Sequence, residues 1–369
     1  MGYVGFSAAS RRTQSGPGHE GRISRRRRVS HPLKLSVLVP VLNGRELLPA
    51  TLGAIFASDL PRVDWELVVV DDGSTDGTAE WASTRADRVS VVDDGPKGPG
   101  FARNQGAAEV DGDVIVLIDA DVQVGPQALR RIRDHFTDSP DVGAVFGAYD
   151  EHPGSPDFLS QYRNLYHRYV HLVGAGDAET FWAGCGAVRR DLFLRLGGFD
   201  TIAYPRPQIE DIELGYRIRD AGYRIVLDPE IGGSHLKKWT LLGIIRTDLL
   251  DRGIPWMRLL LGDGPGGKRS TTLNVTGTEK FKTALMGLGS LGFLISALIR
   301  SPFVALGAGL AILLIVVLTL PVYRWFAKLR GWAFALRAIP MSLLYYFISG
   351  LSVAIALGLH LFGSKANPR

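Results

Sequence analysis

The amino-acid sequence predicts an α/β fold, a mostly parallel sheet with helices on both faces, followed by C-terminal transmembrane helices. In the first two thirds, short continuous apolar runs alternate with helical stretches, the pattern of a sheet covered on both faces. After residue 280 the apolar stretches become long and nearly free of charge. The chain has 369 residues, enough for one large domain and an appendage.

The first 33 residues are predicted to be a disordered basic tail. They are rich in Gly, Ser and Arg, lack periodicity, and carry much of the positive excess in a net charge of +5. The arginine run at 25–28 suits an anionic membrane face or a nucleic-acid arm. No nucleic-acid-binding pattern accompanies it, so we expect no nucleic-acid partner. Because no apolar leader precedes the domain, we expect the globular part to lie in the cytoplasm.

Four buried strands and four helices are predicted next. The strands fall at 35–40, 67–70, 89–92 and 114–118, and the helices at 44–57, 76–86, 99–110 and 126–136. Pro126 suits the first turn of the last helix. In parallel sheets ligands bind beyond the carboxyl ends of the strands, and the acidic loops of this sequence fall there.

Three transmembrane helices are predicted within 281–363, with a short tail at 364–369. The apolar stretches at 281–299, 303–323 and 339–362 approach or exceed the ~20 residues that span a bilayer. Basic residues crowd 324–337, which places that link in the cytoplasm and predicts a multi-pass cell-membrane protein. Residues 241–280 are interpreted as an interfacial amphipathic segment, with a packed surface helix as the alternative.

The strongest chemical motif is Asp119-Ala120-Asp121, directly after the fourth strand. Two carboxylates one residue apart at a strand end can both reach one hard cation. Mg²⁺ or Mn²⁺ held there would neutralise the phosphates of a nucleotide diphosphate. By itself the motif is a weak signal, because acidic pairs are common on surfaces; together with the buried strand before it and the features below, it predicts a divalent-metal site.

Two further loops favour a nucleotide ligand. Asp71 and Asp72 follow the second strand and can accept hydrogen bonds from ribose hydroxyls or a base N–H; the alternative is an N-capping turn built on Asp76. Arg103 lies in the first turns of a helix after a Gly-containing loop, which suits a pyrophosphate, although a surface arginine is an equal alternative.

The pattern resembles the family-2 inverting glycosyltransferases, whose fold is the nucleotide-diphospho-sugar transferase fold called GT-A. The resemblance covers 34–240 in order and includes a likeness to the membrane-anchored polyprenyl-phosphate glycosyltransferases. It is carried by the motifs at 39–46, 69–76, 102–106, 119–121, 197–200 and 210–211.

The resemblance implies roles for individual residues. Pro40, Asn43, Glu46, Asp71 and Asp72 would bind the nucleoside. Arg103, Asp119 and Asp121 would flank the diphosphate and the metal, with Gln123 as a further metal ligand. Asp211, with Glu210 beside it, would occupy the position of the general base.

The base assignment implied by the resemblance can be examined chemically. A hydroxyl acceptor must lose a proton, so a carboxylate within reach assists it, whereas a phosphate acceptor is already anionic near neutral pH. The alternative for Glu210 and Asp211 is a helix N-terminus, where acids offset the helix dipole.

The segment His235-Leu236-Lys237-Lys238-Trp239 resembles a degenerate Gln-x-x-Arg-Trp motif of processive synthases. His replaces Gln and Lys replaces Arg, which argues against processive synthesis. His235 is a candidate metal ligand, and Lys237, Lys238 and Trp239 are candidates for binding the acceptor.

Together these features predict transfer of one sugar from a nucleotide diphosphate sugar to a lipid acceptor, polyprenyl phosphate or a hydroxyl lipid, at the cytoplasmic face. The cofactor would be Mg²⁺ or Mn²⁺, and self-association through the spans is an open expectation. The alternatives are a processive polysaccharide synthase and a catalytically inactive membrane scaffold.

Overall fold

The computed structural model describes residues 32–262 and 273–362. Nearly all of the predicted basic tail at 1–33, and the tail at 364–369, lie outside the described residues, as do positions 263–272 of the predicted interfacial segment.

The described residues form a nine-stranded sheet in the order β3-β2-β1-β4-β8-β6-β9-β5, with β7 beside β9. The strands are β1 (Leu35–Val41), β2 (Trp65–Asp71), β3 (Arg88–Val91), β4 (Val114–Ile118), β5 (Val122–Val124), β6 (Val142–Tyr149), β7 (Gly176–Ala178), β8 (Cys185–Arg189) and β9 (Arg224–His235). The four predicted strands are confirmed as β1 to β4, and β1 and β4 are buried along their whole length because helices cover both faces.

The predicted α/β fold is confirmed, and its sheet is mixed, with antiparallel strands added to the parallel ones. β1 pairs in parallel with β2 and β4, and β2 with β3, so the predicted strands do form a parallel unit. β8 then inserts antiparallel between β4 and β6, and β5 and β7 run antiparallel to β9. β6 and β9 pair in parallel, so parallel pairing also occurs in the second half of the sheet.

Helices flank this sheet and carry the functional loops. They are α1 (Leu48–Phe56), α2 (Thr78–Ser83), α3 (Pro99–Glu109), α4 (Ala128–Asp138), α5 (Phe158–Val173), α6 (Arg190–Arg195) and α7 (Glu210–Asp220). The predicted helices at 44–57, 76–86, 99–110 and 126–136 correspond to α1 to α4. A single apolar core of buried Val, Leu and Ile side chains joins the sheet to these helices.

A helical segment then leaves the sheet. It consists of α8 (Leu241–Arg246), a π-helical stretch at Thr247–Gly253 and α9 (Ile254–Leu261). Leu259 and Trp256 of α9 pack against Ile209 and Tyr216 at α7. This part of the predicted interfacial segment therefore also packs on the domain, as the alternative reading expected.

The C-terminal helices are α10 (Gly277–Ile299), α11 (Pro302–Leu318), α12 (Leu320–Arg330) and α13 (Trp332–Phe362). Within the described part of the chain, α10 and α13 are each long and apolar enough to cross a membrane. The α11–α12 pair passes the same test only as one unit, and it bends by 52°. The predicted span at 303–323 is thus broken at Thr319.

Helix α12 lies on the sheet domain. Phe326 is fully buried against Tyr162 of α5, and Trp325 contacts Tyr169 of the same helix. Arg330 donates to Gln161 Oε1 at 3.1 Å. The bend at Thr319 therefore turns α12 out of the line of α11 and docks it on α5.

Candidate active site

The site forms at the carboxyl end of β4, where a loop before β8 joins the acidic motifs. The Asp119 N–H donates to Gly184 O at 3.1 Å, and the Ala183 N–H donates to Asp211 Oδ2 at 3.1 Å. Residues 183 and 184 therefore link the D-x-D motif to the predicted base through these two hydrogen bonds.

His235 is brought to the D-x-D motif by pairing of β9 with β5. Its Nε2 lies 3.3 Å from Asp121 Oδ2, and the Leu236 N–H donates to Asp121 O at 2.8 Å. On the other side of the ring, Nδ1 lies 2.7 Å from Asn164 Oδ1. Because an amide oxygen can only accept, Nδ1 donates to Asn164, and Nε2 is the ring atom that faces Asp121.

Aromatic rings fix the orientation of His235. Tyr149 stacks on it with ring centroids 4.5 Å apart and planes 4° from parallel. Trp182, from the loop before β8, meets Tyr149 edge-on at 4.9 Å. His235 is 5 % exposed, so its imidazole has few alternative positions.

These residues fit a divalent metal. A hydrogen-bonded imidazole beside a carboxylate is the arrangement found around protein-bound metals, and Mg²⁺ and Mn²⁺ bind through one or two protein groups plus substrate phosphates. Among residues 32–262 and 273–362, no group of three or more His, Cys, Asp or Glu side chains forms a preassembled site. Asp121 and His235 would thus hold an ion whose coordination the donor diphosphate completes.

The other two predicted metal ligands are placed differently. Asp119 Oδ1 accepts from Arg103 Nη2 at 2.6 Å, which engages one carboxylate oxygen. Gln123 is half-buried in β5, opposite Ser234 of β9, whereas His235 is opposite Val122. Since side chains alternate along a strand, Gln123 and His235 lie on opposite faces of this strand pair. The metal roles of Asp119 and Gln123 stay predictions.

Arg103 forms ion pairs with two carboxylates of the site. Its side chain is 6 % exposed and lies between Asp119 and Glu210, whose Oε1 is 3.4 Å from Nη1. The structure thus places Arg103 as a buried bridge between two carboxylates, and its contact with a pyrophosphate stays a prediction. Such a bridge fixes Asp119 relative to α7 and balances part of the negative charge of the site.

Glu210 and Asp211 begin α7, as the helix N-terminus alternative expected. Burial raises the pKa of Glu210 to about 7, the neighbouring Asp211 adds to the rise, and Arg103 offsets part of it. Burial also raises the pKa of Asp211, and the charge of Arg252 opposes that rise. A carboxylate with a raised pKa is a better proton acceptor, which suits Asp211 for base catalysis.

The predicted nucleoside residues lie in two loops that bind each other. Asp71 Oδ1 accepts from the N–H groups of Gly73 and Ser74, and both Asp72 oxygens accept from the N–H groups of residues 97 and 98. Asn43 Oδ1 accepts from the Thr75 N–H at 2.8 Å. Asp71 and Asp72 therefore stabilise these loops by accepting hydrogen bonds from backbone N–H groups. This role resembles the alternative of a capping turn.

The remaining predicted residues differ in exposure. Pro40 is buried in β1 opposite Val70, and Glu46 is exposed in the turn before α1. Lys237 and Lys238 are exposed, while Trp239 is half-buried and packs beside Tyr162. Their nucleoside and acceptor roles stay predictions.

A cavity of about 630 Å³ runs from Asp211 to the C-terminal helices. Side chains of α5, α7, the π-helical stretch, α9, α10 and α13 line it, and most of its wall is apolar. Trp182 and His167 of the sheet domain line it, as do Ala284 of α10 and Val353 of α13. The predicted acceptor residues at 237–239 are not among its lining residues. The cavity connects the candidate base with helices α10 and α13.

Sequence reasoning missed several of these positions. Asn164, Tyr149 and Trp182 come from elements distant in the chain, and no local motif marks them. Arg252 was part of an amphipathic pattern, and only the folded chain shows that it lines the cavity.

Residues 36–197 match the family model described as "Glycosyl transferase family 2". The chain is 29 % identical over 209 residues to a probable glycosyltransferase of Bacillus subtilis, covering 53 % of this chain and 49 % of that protein. It is 28 % identical over 208 residues to a dolichol-phosphate mannosyltransferase of Pyrococcus furiosus, covering 56 % of this chain and 54 % of that protein. The matched region spans about half the length of these curated relatives.

Among solved structures, the fold matches a mannosyltransferase from Pyrobaculum calidifontis, solved with GDP-mannose and Mn²⁺. The TM-score is 0.52 at 20 % identity, and the match covers 91 % of this chain and 89 % of the other. This likeness concerns the fold.

Proposed function

Because the chain belongs to glycosyltransferase family 2 through its GT-A domain, we propose that it transfers one sugar from a nucleotide diphosphate sugar to a membrane lipid. The observation that carries the proposal is the cavity between Asp211 and the C-terminal helices. It gives a lipid acceptor a route from the membrane to the candidate base.

The donor is proposed to bind at the carboxyl ends of β1, β2 and β4. Ligands of such sheets bind at this edge, and the loops after β1 and β2 are held together there by Asn43. The nucleoside would rest on these loops, and the diphosphate would face Asp121 and His235.

The metal would be Mn²⁺ or Mg²⁺, held by Asp121 and His235. When bound, it supplies positive charge that stabilises the departing diphosphate. The Pyrobaculum structure was solved with Mn²⁺, which supports this choice.

In the transfer step, an acceptor oxygen attacks C1 of the sugar, and the bond from C1 to the diphosphate oxygen breaks. The nucleotide diphosphate leaves with the bonding electrons, and the configuration at C1 inverts. Asp211 accepts the proton of the attacking oxygen whenever that oxygen carries one. The raised pKa of Asp211 suits this role.

Membrane attachment supports a lipid acceptor. Helices α10 and α13 meet the length and composition of spans, and exposed apolar side chains cover α10 and α11, including Leu291, Leu298, Phe303 and Leu310. The catalytic domain is proposed to lie on the cytoplasmic side. The name of the Pyrococcus relative, a dolichol-phosphate mannosyltransferase, agrees with a lipid-linked product.

A transfer assay on the purified full chain tests the proposal. Radiolabelled nucleotide sugars would be incubated with Mn²⁺ and a membrane lipid extract, and label would be counted in the organic phase. We expect metal-dependent label in that phase with wild type and none with Asp121→Ala. Replacing exposed His152 by Ala is the control and should leave transfer unchanged. Absence of metal-dependent label with every donor would contradict the proposal.

A further inference from the structure

Two segments beside the C-terminal helices carry positive charge only. Residues 235–247 and 319–337 contain seven Lys and Arg residues and no Asp or Glu. All seven residues are exposed, and Arg330 among them donates to Gln161 Oε1 of α5. We call the other six the basic surface: Lys237, Lys238, Arg246, Arg324, Lys328 and Arg337.

The two segments are neighbours in the fold. Ile244 of α8 packs in one apolar cluster with Tyr323 and Phe326 of α12 and with Ala338 of α13. The basic surface therefore surrounds a single cluster, which joins α8 to the C-terminal helices.

Two acids of the adjoining elements are already engaged. Asp248, which follows α8, is paired with Arg163 of α5, with Nη2 and Oδ1 2.7 Å apart. Glu151 Oε1 lies 3.4 Å from Arg168 Nη2. Because these acids have partners of their own, the positive charge of the basic surface is left for an external anion.

Helix α12 separates apolar from basic side chains. Tyr323 and Phe326 are buried, with Phe326 against Tyr162 of α5. Arg324 and Lys328 are exposed, and residues four apart lie on the same side of a helix. Because the buried side faces α5, the side with Arg324 and Lys328 faces away from the sheet domain.

Large apolar side chains are exposed among these cations. Leu242 is 76 % exposed and lies four residues before Arg246 on α8. Trp332 is 61 % exposed and Leu336 62 % exposed in the first turns of α13, beside Arg337. Such a mixture is typical of surfaces that lie in the interface of a bilayer, where apolar groups enter below the head groups and cations reach the phosphates.

The place of the basic surface in the fold agrees with head-group depth. Helix α13, which is long and apolar enough to cross a membrane, begins two residues after α12 ends. Lys and Arg beside a span are attracted to anionic lipids. We propose that the basic surface binds the anionic phospholipid head groups of the leaflet beside the sheet domain, with Trp332 inserted among them. This inference goes beyond the proposed sugar transfer and requires no turnover.

Tryptophan fluorescence of the full chain in lipid nanodiscs tests this contact. The discs would contain equimolar phosphatidylcholine and phosphatidylglycerol, with one of the two lipids brominated at a time, because bromine quenches a tryptophan that it touches. The signal of Trp332 is the difference between wild type and Trp332→Phe. We expect brominated phosphatidylglycerol to quench that signal more strongly than brominated phosphatidylcholine, by a factor of about two or more.

Paired variants distinguish the effect of charge from an effect on folding. Arg324→Gln with Lys328→Gln removes two charges from exposed positions and should bring quenching by the two lipids close to equality. Arg324→Lys with Lys328→Arg keeps both charges and should keep the preference for phosphatidylglycerol. Arg85→Gln with Arg88→Gln removes two exposed charges near β3, far from β9 in the strand order, and should also keep it.

Raised salt should weaken the preference, since exposed charges are screened. Equal quenching by the two brominated lipids in wild type would overturn the proposal, as would a preference that the two Gln substitutions at 324 and 328 leave intact. Absence of Trp332 quenching by either lipid would place the basic surface outside the bilayer and refute the inference. Lipid contact as expected, without sugar transfer from any donor, would uphold this inference and refute the proposed function.

Discussion

At the residue scale, the site depends on side chains whose orientation is set by neighbours from distant elements. His235 turns its Nε2 toward Asp121 because its Nδ1 donates a hydrogen bond to Asn164 and Tyr149 stacks on the ring. Both His235 and Asp121 were predicted from the sequence as metal ligands, and their proximity agrees with that prediction. The sequence gave no sign of Asn164, because no local spacing records which helix passes behind a strand.

Substitution of Asn164 by Ala tests this orientation. Loss of such a supporting hydrogen bond typically lowers metal affinity about 10–100-fold. We expect the Mn²⁺ concentration for half-maximal transfer to rise by about that factor, while the rate at saturating Mn²⁺ falls much less. Asn164 is buried, so a melting curve of the variant serves as the control for folding. An unchanged Mn²⁺ activation curve would contradict this account of His235.

The pH dependence of transfer reports on Asp211. Since burial raises its folded-state pKa, the carboxyl keeps its proton to higher pH than an ordinary aspartate and is an effective base only above that pKa. We expect kcat/KM to rise with pH on the acid side, with a midpoint above the pKa of an ordinary aspartate.

The Asp211→Asn variant distinguishes a phosphate acceptor from a hydroxyl acceptor. A lipid phosphate carries a proton below about pH 6 and loses it above. With that acceptor, the variant should lose about 100-fold or more near pH 6 and regain part of the loss near pH 8. An equal loss at both pH values would indicate that a hydroxyl is the attacking group.

At the element scale, the strands predicted from continuous apolar runs agree with the structure. β1, β2 and β3 are short and each is followed by a helix that returns the chain to the same edge, so they pair in parallel with each other and with β4. The later strands were not predictable in the same way. β8 and β9 enter the sheet after long excursions, and pairing over such distances leaves no local period in the sequence.

Helix α12 shows a similar limit. Hydropathy joined its first residues to α11, but the chain bends by 52° at Thr319 and places an amphipathic helix on α5. Arg330, its last residue, bonds to the sheet domain. Local hydropathy records apolar content and does not record which neighbour a helix packs against.

Docking of α12 can be measured by stability. Phe326 is fully buried between Tyr162 and Phe334, so Phe326→Ala should cost about 3–5 kcal/mol of unfolding free energy in detergent. Phe303 of α11 is 83 % exposed, and Phe303→Ala should cost little. Thermal unfolding of both variants checks this. Equal stability of the two would show that α12 does not dock as described.

At the scale of the whole molecule, the C-terminal helices form the remaining walls of a cavity that begins at the sheet domain. α12 rests on α5, and α13 begins two residues after α12 ends. α13 has 31 residues and is about 46 Å long, which exceeds a hydrocarbon core of about 30 Å. Its first turns can therefore remain beside the domain while the rest crosses the membrane.

This arrangement predicts a topology. The link around Lys328 should lie on the same side of the membrane as the sheet domain, and the turn at Arg300 on the other. Single cysteines at these positions, labelled with a membrane-impermeant thiol reagent in sealed inverted vesicles, test this; the native Cys185 is buried and should react little. We expect Lys328→Cys to be labelled and Arg300→Cys to be protected. The reverse pattern would contradict cytoplasmic placement of the domain.

The most direct test of the central claim is the mass of the lipid product. Wild-type protein would be incubated with Mn²⁺, farnesyl phosphate and the nucleotide sugar that proves active in the transfer assay. The molecular mass of the extracted lipid would then be measured by mass spectrometry. The account predicts one new species, heavier than farnesyl phosphate by a single sugar residue. A ladder of masses from successive sugars, or donor consumption with no change in the lipid, would contradict it.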